Sequence, residues 1–478
     1  MADFLTPDLC VIGAGASGLA TAEAARAYGA SVILIERDKL GGTALNTGAM
    51  PSRALAAAAA QASLVRTAPP FGISVEGARI NFRKVHDHLE QVITTTTPQS
   101  AAARLEALGI EIVRGEARFI DKKTVAAGDV QIRARRFVIA TGSRPSVAPI
   151  PGLDSVPYFT TDTILDNTRK LTHLVIIGAG ATGLELAQAY NRLGTQVTLV
   201  EHGMPLEGSD LDLAAVALRR LQEEGVAIRT WAEVTAIQAR SMGIGVAVRT
   251  ADGEERLDVS HVLVASPRIP NLEGLDLAKA GIQRLRADPT RIQVSRGLKT
   301  SNSRVYAVGD AAGGSQSMQG ALRQAQVVVR GALLAWPTHN DPLLVPRIVY
   351  TDPEIAEVGL SEATARTRHG MRFRVTRWNF ADNDMARARR QTFGLAKLIT
   401  DKSGKIIGAG VAGPGAGELI ALFSLAMASG ISARDLGKFV APDPSLSQIV
   451  MRLGAEFLRE DAKNPWVQRW VALNRWLG

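Results

Sequence analysis

Two stretches of the chain place short apolar runs around glycine-rich turns and helical segments. In the first, DLCVIGAGASGLATAEAARAYGASVILIER at 8–37, the apolar run at 9–12 predicts a buried strand, and a turn, a helix and a second strand follow it. The same order recurs in HLVIIGAGATGLELAQAYNRLGTQVTLVE at 173–201. The repetition predicts two Rossmann-like α/β folds within one chain of 478 residues.

Each turn carries three glycines at the spacing of a dinucleotide-binding fingerprint. The first glycine permits a tight turn, the second lets the backbone approach a pyrophosphate, and the third lets the helix pack on the strand. An acidic residue ends the second strand of each unit, where it can accept hydrogen bonds from ribose hydroxyls. These residues are Gly13, Gly15, Gly18 and Glu36 in the first unit and Gly178, Gly180, Gly183 and Glu201 in the second. Two complete fingerprints predict two bound dinucleotides.

The end of the second unit indicates which nicotinamide cofactor it prefers. The carboxylate of Glu201 would repel a 2′-phosphate, and His202 and Gly203 follow it where an arginine would favour that phosphate. We therefore expect NADH to bind in preference to NADPH.

The segment 371–440 has a different pattern from the two nucleotide units. Strand-like runs (RFRVTRWNF, FGLAKLIT and IIGAGVAG) are followed by the helical run GELIALFSLAMASG. This pattern predicts an α+β domain. By itself it fits a dimer interface as well as an ordinary lobe.

The last 15 residues, NPWVQRWVALNRWLG at 464–478, hold three of the six tryptophans. Asn464 and Pro465 indicate a helix start, and Trp466, Trp470, Leu473 and Leu477 recur at helical spacing. Arg469 and Arg475 flank this apolar stripe. Two interpretations stay open: an interfacial helix on a membrane, or a helix that docks on the protein's own surface or on a dimer mate.

Composition narrows the function classes. The net charge of +9 is carried by scattered arginines with no aromatic-basic module, so we expect no nucleic-acid partner. The single cysteine, Cys10, excludes an intramolecular disulfide and a cysteine-based zinc cluster, and we expect no metal. No signal peptide and no apolar run long enough to span a membrane are visible, so the expected location is the cytoplasm, with membrane association through the tail as an option.

Together with ATGSRP, VYAVGD and YTDPEIAEVGLSE, both fingerprints resemble the two-dinucleotide flavoprotein disulfide reductases, such as dihydrolipoamide dehydrogenase and mercuric reductase. The resemblance covers roughly residues 8–460. It implies FAD in the first fold, NAD(P)H in the second and a homodimer formed by the C-terminal domain. The expected divisions are an FAD-binding domain at 1–149, an NAD(H)-binding domain at 150–270, a central segment completing the FAD site at 271–342, an interface domain at 343–463 and the tail at 464–478.

The resemblance also assigns individual residues. It places Asp310 on the ribityl chain of the flavin and Arg53, paired with Glu185, where the family carries a lysine near the reactive flavin nitrogen. We expect the Arg53–Glu185 pair to be catalytic. The other residues that it implies for FAD binding are Gly42, Thr43, Ala117, Thr141, Gly142, Met318 and Gln319.

The residues that carry the family's thiol chemistry are missing. Its two redox cysteines align with Ala44 and Ala49, and its C-terminal His and Glu align with Asp443 and Gln448. We therefore expect an NADH-dependent FAD oxidoreductase of the diaphorase or quinone-reductase type. Its reduced flavin would pass electrons to a quinone, a dye or a redox partner rather than to a disulfide or Hg(II). The alternative is a catalytically retired flavoprotein with a structural or sensing role.

Overall fold

The computed structural model describes residues 4–77, 79–97, 101–313, 317–461 and 465–477. It divides the chain into two units. The first comprises Met1–Gly203 and Ala227–Pro342, and the second comprises Met204–Val226 and Leu343–Gly478. We describe each unit separately.

A five-stranded parallel sheet forms the centre of the first dinucleotide fold. The predicted strand at 9–12 lies in the middle of it, and all four of its residues are buried. Such a continuous apolar run is typical of a strand that is covered on both faces. The helix Ala16–Ala27 packs on this sheet, and the strands in spatial order are Val305–Ala307, Arg136–Ile139, Leu9–Ile12, Val32–Glu36 and Ile110–Arg114.

A second five-stranded parallel sheet forms the other dinucleotide fold. Its strands in spatial order are Phe159–Thr160, His261–Val264, His173–Ile177, Gln196–Glu201 and Ala227–Thr230. An antiparallel sheet of Glu233–Arg240, Gly243–Thr250 and Gly253–Val259 lies in the chain between its strands Ala227–Thr230 and His261–Val264. The two parallel sheets confirm the predicted pair of Rossmann-like folds.

Smaller elements complete the first unit. A four-stranded sheet contains Phe4–Leu5, Val130–Ile132, Thr124–Ala127 and Ala117–Asp121, and two-stranded pairs join Arg268–Pro270 to Ser143–Pro145 and Arg284–Leu285 to Asp288–Ile292. The α-helices besides Ala16–Ala27 are Gly42–Asn46, Ala49–Arg66, Phe82–Thr96, Ala102–Ala107, Ala181–Arg192 and Met318–Leu333. Short 3₁₀ helices are formed by Pro69–Phe71, Leu153–Ser155, Ile164–Asp166, Gly309–Ala312 and Pro342–Leu344.

The C-terminal unit is built on a five-stranded antiparallel sheet. The predicted runs form three of its five strands and the apolar helix Ala416–Ala428, which confirms the α+β domain. In spatial order the strands are Arg347–Val349, Glu354–Gly359, Ile406–Gly413, Leu395–Asp401 and Phe373–Asn379. The helices are Leu211–Glu223, Glu362–His369, Asp384–Ala388, Ala416–Ala428, Ala433–Leu436, Gln448–Asp461 and Pro465–Leu477, with a 3₁₀ helix at Phe380–Asp382.

One segment packs in a place that the sequence did not indicate. Residues 204–226 follow the second dinucleotide strand directly, yet they belong by their contacts to the C-terminal unit. The ammonium group of Lys397, which is almost fully buried, lies 2.7 Å from a carboxylate oxygen of Asp210, 2.7 Å from one of Asp212 and 3.0 Å from one of Glu362. Because a buried charge needs opposite charges around it, this cluster holds the start of the helix Leu211–Glu223 in the unit.

Among the described residues, no helix is both long and apolar enough to cross a lipid bilayer. The cytoplasmic location stays a prediction.

Candidate active site

In the first glycine-rich turn, one of the three glycines has room for a Cβ atom and the other two have none. A Cβ atom on Gly13, whose φ is +103°, would lie 2.5 Å from the carbonyl oxygen of Ala140, and one on Gly18 would collide with the carbonyl oxygen of Gly13. A Cβ on Gly15 would meet only the Cα of Gly42, at 3.9 Å. Gly13 and Gly18 therefore allow the chain to pack on itself, whereas the open side of Gly15 leaves room for a ligand.

Polar groups at this turn suit the diphosphate and ribose of a dinucleotide. The helix Ala16–Ala27 begins after Gly15 with no side-chain cap, so its first N–H groups are available to phosphate oxygens. The Glu36 carboxylate accepts hydrogen bonds from the N–H of Ala14 at 2.6 Å and of Asp38 at 2.8 Å. These bonds fix the carboxylate beside the turn, and its remaining lone pairs can accept from hydroxyls.

A second loop approaches the same turn. Gly41 forms an isolated parallel bridge with Gly15, and its N–H donates to the carbonyl oxygen of Ala14 at 2.9 Å. Gly42 has a φ of +57°, and a Cβ on it would lie 2.8 Å from the Cα of Gly15. The two backbones therefore approach this closely because Gly42 has no side chain. Thr43 and Ala44 follow in the short helix Gly42–Asn46, with Thr43 exposed and Ala44 half-buried.

The neighbouring strands bring the other predicted FAD residues to the same edge of the sheet. Thr141 and Gly142 follow the strand Arg136–Ile139, and Gly309 and Asp310 follow Val305–Ala307. The Ser143 hydroxyl donates to the Asp310 carboxylate, which joins the ends of these strands. The buried hydroxyl of Thr141 has no protein partner, and a bound ligand at this edge would supply one.

Three further predicted FAD residues lie on adjoining elements. Met318 and Gln319 begin the helix Met318–Leu333, which packs on the helix Ala16–Ala27. Ala117 opens the strand Ala117–Asp121, two residues after Gly115, whose N–H donates to the carbonyl oxygen of Glu36 at 3.0 Å. The residues predicted for the first dinucleotide therefore lie at the turn or at the strand ends beside it, except Ala117, Met318 and Gln319, which lie on elements that adjoin them. Their roles in binding stay predictions.

The second dinucleotide fold repeats the arrangement of the first. A Cβ on Gly178 would lie 2.6 Å from the carbonyl oxygen of Ala265, one on Gly183 would collide with Gly178, and one on Gly180 would meet nothing within 4 Å. The Glu201 carboxylate accepts from the N–H of Ala179 at 2.7 Å and of Gly203 at 3.1 Å. The same geometry therefore suits a second dinucleotide.

A cleft next to Glu201 was missed by the sequence analysis. Its volume is about 470 Å³. The imidazole Nδ1 of His202 lies 2.8 Å from the Glu201 carboxylate. Trp231 has an exposed side chain and a backbone φ of +54°, which is unusual for an aromatic residue. No local sequence pattern predicted this backbone conformation. The lining residues are His202, Trp231, Ala232, Glu233, Arg249, Thr250 and Ala251.

The predicted pair of Arg53 and Glu185 is formed. Arg53 lies on the helix Ala49–Arg66 and Glu185 on the helix Ala181–Arg192, and the two side chains make a hydrogen-bonded ion pair. The Arg53 side chain is 30% exposed and that of Glu185 is 10% exposed. Because residues four apart share a helix face, Arg53 lies one turn beyond Ala49, which is half-buried at the start of its helix.

Asp443 and Gln448 stand where the family carries its C-terminal His and Glu, so no imidazole lies at these two positions. The Gln448 side-chain amide donates a hydrogen bond to the Asp443 carboxylate. This pair cannot exchange protons near neutral pH as an imidazole does, because an amide does not titrate there. Cys10, the one thiol in the sequence, is fully buried in the strand Leu9–Ile12, and burial raises its pKa. It is therefore not a nucleophile.

Comparisons with known proteins cover nearly the whole chain. Residues 7–325 match the family model of pyridine nucleotide-disulphide oxidoreductases, and residues 345–453 match the dimerisation domain of the same family. A dihydrolipoyl dehydrogenase of Thermus scotoductus is 34% identical over 470 residues, which are 96% of this chain and 98% of the relative. A mercuric reductase of Streptomyces lividans is 30% identical over 463 residues, covering 95% and 97%.

A solved structure agrees with these relatives. The HOCl-induced flavoprotein disulfide reductase RclA from Escherichia coli matches with a TM-score of 0.82 and 26% identity, over 94% of this chain and 99% of that one.

The names of these relatives contradict one expectation. From the missing cysteines we expected an acceptor other than a disulfide, or a retired flavoprotein, and this is wrong: the relatives are named as dihydrolipoyl dehydrogenases, mercuric reductases and flavoprotein disulfide reductases, and they point to disulfide reduction. The two missing cysteines do not decide which acceptor the flavin reduces. Ala44 and Ala49 remove a disulfide from the chain, but they do not remove disulfides as molecules to be reduced.

Replacement of Gly15 or Gly180 by alanine tests the two ligand spaces separately. Both residues have φ values that alanine adopts, so both variants should fold. We expect Gly15→Ala to lose FAD and Gly180→Ala to keep FAD while its Kd for NADH rises roughly tenfold or more, about 1.4 kcal/mol. The FAD content of the purified proteins and a fluorescence titration with NADH measure these effects. Full FAD content and unchanged NADH affinity in both variants would contradict the assignment.

Proposed function

Because the chain belongs to the pyridine nucleotide-disulphide oxidoreductase family, we propose that it is an NADH-dependent flavoprotein reductase that acts on a disulfide carried by its substrate. The chain is an oxidoreductase, and FAD and NAD(P)H are the cofactors of its family. The match to the dimerisation domain supports a homodimer.

The observation that carries the proposal is the pair of alanines at 44 and 49. The relatives point to disulfide reduction, yet the sequence holds a single cysteine, which is buried away from the site. A disulfide that is reduced must then come from the substrate. Ala44 and Ala49 are both half-buried rather than packed in the core, and each methyl group is smaller than a cysteine side chain, so a substrate disulfide is proposed to approach the flavin on this side.

The proposed reaction balances without a residue of the chain changing its oxidation state. NADH and one proton react with one disulfide to give NAD⁺ and two thiols. Bound FAD supplies a two-electron centre between the nicotinamide and the disulfide. The residues that would hold it are those around the first turn, including Gly15, Glu36, Thr141 and Asp310. Those that would hold NADH surround Gly180 and Glu201.

The absence of a histidine at position 443 is compatible with a substrate disulfide whose two thiols leave the site after reduction. An ordinary thiol has a pKa of about 8.5, so a released thiolate takes a proton from water near neutral pH. A thiolate that stays in the protein next to the flavin lacks this access and benefits from a fixed acid. The amide–carboxylate pair of Gln448 and Asp443 is therefore compatible with a disulfide that comes from solution.

Arg53 is the cation that we propose for the reacting centre. Its ion pair with Glu185 fixes the guanidinium, while 30% of its side chain stays accessible. A fixed cation stabilises negative charge that develops in a transition state, and it does so without reorganising at that moment. Two helices that pack on one another, Ala49–Arg66 and Ala181–Arg192, hold this pair in place.

Substitution of Arg53 tests this role. Arg53→Met should slow flavin reduction by NADH roughly 10- to 100-fold, because the fixed cation is lost, and Arg53→Lys should recover most of the rate. The flavin midpoint potential should also become more negative in Arg53→Met, a change that a merely structural role would not produce. Stopped-flow absorbance and spectroelectrochemistry measure both. Arg104→Met, which removes a surface ion pair with Glu23, is the matched control and should change neither.

Glu201 carries the proposed preference for NADH. Its carboxylate lies beside the second turn, where a 2′-phosphate would meet its negative charge. In Glu201→Ser we expect the ratio of kcat/KM for NADH to that for NADPH to fall roughly tenfold or more, corresponding to about 1.4 kcal/mol. Steady-state kinetics with both cofactors measure the ratio. A wild-type preference for NADPH, or an unchanged ratio in the variant, is the contrary result.

A comparison of acceptors tests the proposal itself. We expect the purified holoenzyme to oxidise NADH with oxidised glutathione, lipoamide or cystine and to form two thiols for each NADH consumed. Cys10→Ala should retain this activity, because the buried thiol takes no part in it. NADH absorbance and a thiol assay give the stoichiometry. Turnover with menadione or a dye, while every disulfide fails to react, would overturn the proposal.

A further inference from the structure

The C-terminal helix, Pro465–Leu477, lies beyond the residues that match the dimerisation domain. Asn464, part of the predicted helix start, lies outside the described residues, but the helix itself is formed as the sequence predicted. Every residue from 465 to 476 is exposed. Trp466 is 76%, Trp470 64% and Trp476 82% exposed. Three tryptophans on a helix of 13 residues thus face outward.

Most of the exposed apolar residues share a face, and Trp476 lies at its edge. Trp466, Trp470 and Leu473 are spaced by four and three residues, which places them along one side of an α-helix. The valines at 467 and 471 widen this surface and are exposed as well. An exposed apolar surface of this kind marks an interaction site, because removing apolar surface from water is favourable.

The charges of the helix indicate what covers that surface. Arg469 and Arg475 are its only charged residues, and 464–478 contains no Asp or Glu. The Arg469 guanidinium lies 5.5 Å from the centre of the Trp466 ring, so cation and aromatic ring stand together at the start of the helix. We propose that the C-terminal helix lies on a lipid surface with anionic headgroups.

The length and composition of the helix suit a position parallel to that surface. Thirteen residues make a helix of about 20 Å, shorter than the hydrocarbon core of about 30 Å. Tryptophan is enriched at the boundary between headgroups and acyl chains, and arginine binds anionic headgroups. The helix is therefore an interfacial anchor and does not span the bilayer.

Dimer formation strengthens such an anchor. A homodimer carries two copies of the helix, and a second helix binds a surface to which the first already holds the molecule. A single weak membrane signal gives only reversible attachment, whereas two together give stable attachment. A homodimer whose two helices reach the same surface therefore binds it more tightly than one short helix does.

Vesicle sedimentation of the full-length holoenzyme tests the proposal. We expect binding to vesicles of phosphatidylcholine mixed with phosphatidylserine and much weaker binding to phosphatidylcholine alone. Replacement of both arginines (Arg469→Gln with Arg475→Gln) should weaken the binding of each helix roughly 25-fold, since each arginine near an anionic surface contributes about a factor of five, and a dimer that binds through both helices should lose more. Trp466→Ala with Trp470→Ala should also weaken it, and added salt should weaken wild-type binding.

Matched controls separate the helix from the rest of the surface. Trp336→Ala removes an exposed tryptophan elsewhere, and Arg256→Gln removes an exposed arginine. Both should bind like wild type. Light scattering should show every variant as a dimer with NADH oxidation unchanged. Absence of vesicle binding by wild type would overturn the proposal, and so would loss of the dimer in the tryptophan variant, which would assign the helix to a protein interface.

Discussion

Both dinucleotide folds depend on how closely backbone can approach backbone at their glycine-rich turns. Gly13 and Gly178 each bring the turn against the end of a neighbouring strand, at Ala140 and Ala265 respectively. A side chain at either position would push these strands apart. Since the first turn also meets the loop at Gly42, the same constraint sets where the segment with Ala44, Ala49 and Arg53 begins. Contacts between backbones therefore set where the candidate active site lies, and the Arg53–Glu185 ion pair and the Ser143–Asp310 hydrogen bond complete it.

This constraint explains why the fold could be predicted from the sequence. Glycine spacing, apolar runs and strand-terminating acids are local features, and each reports a local requirement of the backbone. The partnership of Arg53 with Glu185 is not local, since 132 residues separate them. It could be predicted only because the chain resembles a known family.

Other features had no sequence signal. Lys397, Asp210, Asp212 and Glu362 are scattered along the chain. The ion pairs of the buried Lys397 ammonium with Asp210 and Asp212 hold residues 204–226 in the C-terminal unit. The cleft at His202 and Trp231 likewise depends on how separate strands end in space. The error in the expected acceptor was of another kind. It treated the loss of two cysteines as the loss of a substrate class, although a disulfide can reach the site from solution.

In the proposed reaction, electrons from NADH reach a disulfide that belongs to the substrate and not to the protein. An anaerobic single-turnover experiment tests this transfer. The holoenzyme is reduced with one equivalent of NADH per FAD, freed of NAD⁺ and mixed with excess disulfide, while flavin absorbance and free thiols are followed. Flavin should reoxidise at a rate that rises with disulfide concentration, with two thiols formed per flavin. Flavin that stays reduced in the presence of disulfide, yet is reoxidised by a quinone, would contradict it.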